Sequence, residues 1–241
     1  MNSYYYSGNN AYMVAMFVLL AAMAFSFWAS WKVKNTYKKY SNKPNKSGIT
    51  GAQAARMILD KNGLRDVPIA QTAGQLTDYY DPSQKRVVLG ETEYGAATSV
   101  AVGVAAHECG HAIQYADDYL PAKIRMAIVP ATNFGSKLAW PVILAGAVLG
   151  GLIPILWNLV YVGIALFSLC VIFQLITLPT EFNASRRALK CIDEYNLLSG
   201  EDYDEAKEVL TAAALTYVAA LAVSLAQLLR LIAIYGGRRR N

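Results

Sequence analysis

The sequence predicts a mainly α-helical chain with a small β hairpin or sheet and about three to four transmembrane helices. Two observations lead to this prediction. Of 241 residues, 55% are hydrophobic and only 16% are charged, whereas soluble domains carry about 25% charged residues. The apolar excess is concentrated in long uncharged stretches, while the segments between them mostly carry apolar residues at helical spacing.

The N-terminal segment is the first predicted span. Residues 11–31 are uncharged over the ~20 residues that a spanning helix needs. No charged residue precedes this run, and bulky Trp28 and Trp31 stand at its end, which favours a retained anchor over a cleaved signal peptide. Residues 32–46 contain six lysines and no acidic residue, so this end of the helix is predicted to face the cytoplasm. Residues 1–47 are therefore predicted to form an anchor and a basic linker.

The charge distribution also indicates the partner. The net charge is +5, and its lysines cluster beside an apolar run, as they do at the flanks of membrane helices. This pattern predicts a lipid bilayer as partner and no nucleic acid. The three cysteines form no CxxC pair and are predicted to be reduced thiols.

Residues 48–137 are predicted to be a compact part of mixed structure. Apolar residues at helical spacing predict a helix over 49–64. Residues 71–94 resemble two short strands joined by the turn DPSQ. The alanine-rich stretch 98–116 predicts a helix of about five turns.

The remaining chain alternates between apolar and charged segments. Residues 139–178 carry no charge, and forty residues are twice the ~20 that one span needs. We therefore predict a transmembrane hairpin over 138–178 with its turn around Asn158. Residues 179–241 are predicted to hold a polar helix that starts at Pro179 and Thr180, followed by an apolar helix over 211–235. This last helix is predicted to enter the membrane, with a buried or interfacial helix as the alternative.

One motif in the predicted helix 98–116 indicates chemistry. The stretch AAHECGHAIQ contains His107 and His111, the only two histidines of the chain. Residues four apart on an α-helix project from one face, so the two imidazoles can bind one Zn²⁺. Glu108 is rotated away from them and is suited to act as general base on a zinc-bound water. The alternative is a pair of core histidines whose nitrogens bond to backbone.

A third zinc ligand has to be a carboxylate or a thiolate, because no histidine remains. Glu181 is the preferred candidate, since it is the first charged residue after the uncharged stretch and a carboxylate at a membrane boundary is costly unless it is bound. Two crossings between His111 and Glu181 return the chain to the same side. The alternative is that Glu181 binds no metal and lies at a helix N-terminus, where the helix dipole stabilises its negative charge. The less suitable candidates are Glu91, Glu93, Asp117 and Asp118.

Three further residues of the motif helix carry simpler predictions. Gly103 and Gly110 leave little bulk on the helix, which predicts a close approach of other backbone. Cys109 lies off the ligand face and is predicted to be a small buried residue, with zinc ligation as the less favoured alternative.

Several separated motifs together resemble a known family. GVAAHECGHAIQ, LTDYYDP, IVPATNFGS, TLPTEFNASRRAL and AALTYVAA are similar to the neutral zinc metallopeptidases of bacterial membranes, the YugP-like family, which is related to the HtpX and CAAX-protease type of gluzincins. The resemblance runs from Gly48 through the last apolar helix. It implies a zincin-like, membrane-anchored metalloprotease with His107, His111 and Glu181 as zinc ligands and Glu108 as catalytic base.

The chain departs from the family pattern at two positions. Tyr79 stands where the family motif LTDHYDP has a histidine, and its hydroxyl is predicted either to stabilise the transition state or to have a structural role only. Ser185 stands where the related proteases carry an aspartate, so no role is transferred to it. Arg186 and Arg187 are, with Tyr79, candidates for stabilising the oxyanion.

The resemblance implies a zinc-dependent endopeptidase of peptide or protein substrates, membrane proteins among them, in the bacterial plasma membrane. The chain is expected to be multi-pass with its active site on the cytoplasmic side. An extended peptide is expected to pair with the strand around 76–80. Two alternatives stay open, a site-2-type intramembrane protease and a non-enzymatic zinc-binding membrane scaffold. The sequence predicts no oligomeric state.

Overall fold

The computed structural model describes residues 2–74 and 77–236, with side chains from residue 10 onward. Long helices dominate this part of the chain and one small sheet interrupts them, which confirms the predicted fold class. The elements are α1 (Asn2–Tyr40), α2 (Gly51–Lys61), β1 (Ile69–Thr72), β2 (Tyr79–Asp81), β3 (Arg86–Gly90), α3 (Glu91–Gly95), α4 (Ser99–Ala116), α5 (Leu120–Leu149), α6 (Asn158–Glu194) and α7 (Glu201–Tyr235).

Three helical segments of the described residues are long and apolar enough to cross a membrane, namely Asn10–Tyr40, Pro154–Glu194 and Glu201–Tyr235. The first and the last contain the predicted N-terminal anchor and the predicted C-terminal apolar helix. The helix α5 is not among the three, and it carries Lys123, Arg125 and Lys137. The arginines at 238–240 lie outside the described residues.

Two predicted boundaries in the apolar region are wrong. The turn of the hairpin does not lie around Asn158, because α5 ends at Leu149 and Asn158 is already the first residue of α6. The turn is made instead by residues 150–157, which include the 3-10 helix Pro154–Trp157. No helix starts at Pro179, which lies inside α6. Proline removes one backbone donor, but long membrane helices tolerate it where neighbouring groups satisfy the freed carbonyl.

The sheet has three strands in the order β1-β3-β2. β2 pairs antiparallel with β3, and the predicted turn between them is present, with the Asp81 carboxylate accepting hydrogen bonds from the backbone of Ser83 and Gln84. β1 pairs parallel with the other side of β3. The predicted first strand is therefore two separate strands. β2 remains an edge strand of the sheet.

The chain divides into two compact units. The first comprises Met1–Trp28, Ile124–Leu178 and Tyr217–Asn241, and the second comprises Ala29–Lys123 and Pro179–Thr216. In the first unit α5 and α6 approach closely at Gly163, where an added Cβ would lie 2.9 Å from the Ala139 carbonyl oxygen. Small residues permit such contacts between membrane helices.

The second unit has its own hydrophobic core, built from α2, β3, α4, α6 and α7. The helix α2 begins with a capping box between Thr50 and Gln53, which satisfies two backbone donors at its first turn. Its residues Ile58 and Leu59 are fully buried against the sheet and α4. Other core side chains include Val87, Leu89, Val102, Ile192 and Leu197. This core supports the helix that carries the two histidines.

Candidate metal centre

The motif helix α4 holds both histidines on one face. It begins at Ser99, after Thr98, whose side chain accepts a hydrogen bond from the backbone N–H of Ala101. His107 and His111 follow one turn apart, with their ring centroids 4.8 Å from each other. The predicted close approach at Gly110 is present, since an added Cβ would lie 2.5 Å from the carbonyl oxygen of Ala184 in α6. A larger residue at 110 would therefore push α6 away from α4.

A pair of glycine substitutions tests this contact. Gly110→Ala is expected to destabilise the protein by about 1–2 kcal/mol net, because the cost of overpacking exceeds the gain in helix propensity. Gly103→Ala is the matched control in the same helix, where the nearest atom to an added Cβ is the Ala206 Cβ at 3.3 Å. It brings the same propensity gain without a backbone clash. Thermal unfolding of both variants in detergent measures the difference, and equal shifts would contradict the proposed role of Gly110.

The close contact of the two helices brings Glu181 to the histidines. The Glu181 Oε2 lies 3.2 Å from the Nε2 of His107 and 3.6 Å from the Nε2 of His111. Within residues 2–74 and 77–236, these three form the one group of at least three His, Cys, Asp or Glu side chains whose ligand atoms lie close together, all within 4.8 Å of one another. All three are largely buried, with Glu181 only 2% exposed.

The donor set of this group fits a zinc ion. Two imidazole nitrogens and one carboxylate oxygen are the protein ligands of several catalytic zinc sites, in which the fourth position stays open. The Nε2 atoms of both histidines face the carboxylate, and the Nδ1 atoms have other partners. The Nδ1 of His107 lies 3.1 Å from the hydroxyl of Ser185, and the Nδ1 of His111 lies 2.9 Å from the amide oxygen of Gln114. Such support of the ligands is usual at metal sites.

Glu108 is buried beside this group. The pKa of its carboxyl is raised to about 7, mainly by burial and also by the negative charges of Glu181 and Asp78, against the lowering effect of His107 and of the backbone N–H of Tyr80. The carboxyl therefore lies beside the backbone of the edge strand β2. This environment suits a group that accepts a proton and later returns it.

Tyr79 and Tyr80, which are neighbours in β2, point to opposite faces of the strand. Tyr80 is half-buried, and its ring lies 5.6 Å from the ring of Tyr115 in α4. Side chains alternate along a strand, so the exposed side chain of Tyr79 points to the opposite face of β2. The structure therefore brings His107, Glu108, His111 and Glu181 together, and the catalytic role of Tyr79 stays a prediction.

The other predicted candidates have different surroundings. Cys109 is fully buried, with its Sγ 3.6 Å from the carbonyl oxygen of Ala55, in agreement with a small core residue. The guanidinium of Arg187 donates to Asn183 and to Asp117, while Arg186 is exposed. Arg187 is thus engaged in holding α6 to the end of α4.

The less suitable acidic candidates are also accounted for. Glu93 is 1% exposed and accepts a hydrogen bond from the hydroxyl of Tyr37. Near it, Asp78 accepts one from the backbone N–H of Gly90 at 2.7 Å. The pKa of Asp78 is raised to about 6 by burial and by the charge of Glu93, against the lowering effect of the hydrogen bond from Gly90. Asp118 pairs with Lys123, and Glu91 is exposed.

Sequence reasoning missed three supporting groups, namely Gln114, the backbone carbonyl of Thr180 and the side chain of Asn183. Gln114 donates to both of the others, at 2.8 and 3.0 Å respectively. One signal was available in the sequence. Gln114 stands three residues after His111 and seven after His107, so a helix places it on the face of the two histidines. The contacts to α6 were not accessible from spacing alone.

Comparisons with known proteins agree with this geometry. The family described as "Putative neutral zinc metallopeptidase" matches residues 15–236. The protein named "Putative membrane protease YugP" from Bacillus subtilis (strain 168) is 46% identical over 230 residues, which cover 95% of this chain and 100% of that protein. No solved structure matches the chain.

Proposed function

Since the chain belongs to the neutral zinc metallopeptidase family, we propose that it is a membrane-embedded, zinc-dependent endopeptidase of peptide or protein substrates. The observation that carries this proposal is the convergence of His107, His111 and Glu181 from two helices, with the Glu108 carboxyl buried next to them. A site built only for structure usually has four protein ligands. The described residues contribute three, which leaves a position for a reacting water.

The mechanism assigns one task to each of these residues. The Nε2 atoms of His107 and His111 and the carboxylate of Glu181 would hold the metal ion. When bound, Zn²⁺ supplies Lewis acidity, which makes water a nucleophile near neutral pH and polarises the substrate carbonyl. The Glu108 carboxylate accepts a proton from the attacking water and returns it to the amine nitrogen as the peptide C–N bond breaks.

The edge strand β2 is the proposed docking site for the substrate. β2 pairs with β3 on one side only, and its residue Tyr80 contacts Glu108. An extended peptide that adds to this edge by main-chain hydrogen bonds would run past the catalytic carboxyl. Part of the predicted docking segment, residue 76, lies outside the described residues. Tyr79 and Arg186, both exposed, are the remaining candidates for stabilising the oxyanion.

Removal of zinc tests the proposed activity. We expect the purified full-length protein to cleave an unfolded protein substrate, to lose this cleavage on treatment with a zinc chelator, and to recover it when zinc is added back. Zinc content is measured on the same samples, and the chelator is tested in parallel on a serine protease as a control. Cleavage that persists in zinc-free protein would refute the proposal.

The proposed location is the bacterial plasma membrane, with the active site on the cytoplasmic side. It is supported by the lysines of 32–46, which follow the uncharged residues 11–31 of the candidate span in α1, and by the positive-inside rule. The native thiols are of limited use as probes, because Cys109 and Cys191 are buried and Cys170 is half-buried.

An introduced cysteine tests this orientation. In a chain with Cys170→Ala, the variant Ser83→Cys places a thiol in the exposed turn between β2 and β3. We expect a membrane-impermeant maleimide to label it only after the cells are permeabilised. Asn10→Cys, at the opposite end of the α1 span, is the control and is expected to be labelled in intact cells. The reverse pattern would place the active site outside.

The site-2-type alternative requires the motif helix to lie within the bilayer. Among the described residues, α4 is not one of the segments that are long and apolar enough to cross a membrane, and its histidines belong to the unit that contains the sheet. The scaffold alternative predicts zinc binding without cleavage. The metal-removal experiment therefore separates it from the proposed activity.

A further inference from the structure

Gln114 is a buried polar side chain beside the proposed zinc ligands, and both its amide oxygen and its amide nitrogen have partners. It lies in α4 one turn after His111 and is 0% exposed. Its amide oxygen lies 2.9 Å from the Nδ1 of His111. Its amide nitrogen donates to the backbone carbonyl of Thr180 at 2.8 Å and to the Oδ1 of Asn183 at 3.0 Å. One amide thus connects the motif helix α4 with α6.

The partners of Gln114 determine which way its amide points. A backbone carbonyl can only accept a hydrogen bond, so Thr180 requires the NH₂ group of Gln114. The Oδ1 of Asn183 also accepts a hydrogen bond from the Nε of Arg187 at 2.8 Å, and a guanidinium can only donate. The atom of Asn183 that faces Gln114 is therefore an acceptor, and it too requires the NH₂ group of Gln114. Arg187 is itself held by Asp117 at 2.5 Å. The NH₂ group of Gln114 therefore faces α6, and its oxygen faces His111.

This orientation determines the tautomer of His111. An amide oxygen accepts a hydrogen bond and cannot donate one, so the Nδ1 of His111 carries the proton. In the neutral ring the Nε2 then keeps its lone pair, and this is the nitrogen that faces the Glu181 carboxylate. The ring is thus prepared to bind a metal ion before the ion arrives.

The same amide also holds the backbone that carries Glu181. Thr180 is the residue directly before Glu181 in α6, and the side chain of Glu181 is almost fully buried. A hydrogen bond from Gln114 to the Thr180 carbonyl ties this turn of α6 to α4. His107 has no equivalent support, because the Ser185 hydroxyl beside its Nδ1 can either donate or accept and leaves the tautomer open.

We propose that Gln114 is the positioning residue of the metal centre, which sets the tautomer of His111 and holds the α6 backbone next to Glu181. This inference rests on the proposed zinc-binding role of His111 and Glu181. It does not make Gln114 a catalytic residue, since its amide contacts a ligand and not the reacting atoms. A single side chain would thus position two zinc ligands, His111 in α4 and Glu181 in α6.

Zinc affinity, measured by competition with a chromophoric chelator, tests this assignment independently of cleavage. Gln114→Met has a similar length and removes all three hydrogen bonds, and we expect it to lower the affinity for zinc about 10- to 100-fold. Gln114→Glu keeps an acceptor for His111 but loses both donors to α6, so its affinity is expected to lie between those of the wild type and Gln114→Met. Ser185→Ala is the control at the other histidine and is expected to have a smaller effect than Gln114→Met.

The outcomes separate this inference from the proposed function. Circular dichroism of the zinc-free proteins verifies that each variant is folded, and if Gln114→Met does not fold, the comparison of Gln114→Glu with the wild type decides. If the wild type binds zinc and the folded Gln114 variants bind it equally tightly, the positioning role is overturned and the peptidase proposal stands. If the wild type itself binds no zinc, both fall together.

Discussion

Replacement of Glu108 with Gln is expected to reduce peptide cleavage by about 10⁴-fold, the upper end of the range for a lost general base. The amide has the same shape as the carboxylate and fits the same buried position. It cannot accept a proton from the attacking water, and it cannot deliver one to the leaving amine. The loss should therefore appear as a decrease in kcat, measured by steady-state kinetics on a peptide substrate.

The zinc content of this variant is the decisive second measurement. Glu108 does not belong to the group formed by His107, His111 and Glu181, so Glu108→Gln is expected to bind zinc as the wild type does. Glu91→Gln is the matched control, since Glu91 is an exposed glutamate of the same unit and should retain full activity. If Glu108→Gln cleaved at the rate of the wild type, the assignment of the base would be wrong.

Replacement of Glu181 with Gln is expected to have the largest effect on the metal itself. Glu181 supplies the only carboxylate of the three-residue group, and a neutral amide oxygen is a much weaker zinc ligand than a carboxylate. Changes in the residues that merely support metal ligands already cost about 10- to 100-fold in affinity. We expect the loss of a direct ligand to exceed this range and to abolish cleavage with it.

Zinc stoichiometry after dialysis, together with competition against a chelator, measures this effect. Glu194→Gln is the control on the same helix, because Glu194 is exposed and pairs with Lys190 at 3.5 Å, a surface contact of little energetic weight. It should leave zinc binding and cleavage unchanged. Stoichiometric, tightly bound zinc in Glu181→Gln would exclude Glu181 as the third ligand.

The fold could be predicted where a local pattern decides the structure. Helical spacing predicts α2 and α4 close to their observed bounds, and the turn residues of DPSQ predict the join of β2 and β3. The predicted helix start at Pro179 was wrong, because a long apolar helix tolerates a proline that would usually end a helix. The division of the predicted first strand into β1 and β2 was missed, because β1 pairs with the other side of β3 and no local pattern indicates this pairing.

The proposed metal ligands could be predicted from the sequence, but the contacts that support them could not. The scarcity of histidine and the spacing of the motif indicate His107 and His111, and the return of the chain after an uncharged hairpin indicates Glu181. What could not be predicted is the support of these residues. The contacts of Gln114 with Thr180 and Asn183 depend on how closely α6 approaches α4, and this distance is determined by packing at Gly110 and not by spacing.

The restriction of histidine to two neighbouring positions has a consequence for spectroscopy. Because the chain contains only His107 and His111, protein labelled with nitrogen-15 histidine gives imidazole resonances from the proposed centre and from no other part of the molecule. Ring nitrogens differ in chemical shift according to whether they carry a proton, a lone pair or a metal ion. Metal loading can therefore be followed by magnetic resonance on the whole membrane protein, provided that the purification tag contains no histidine.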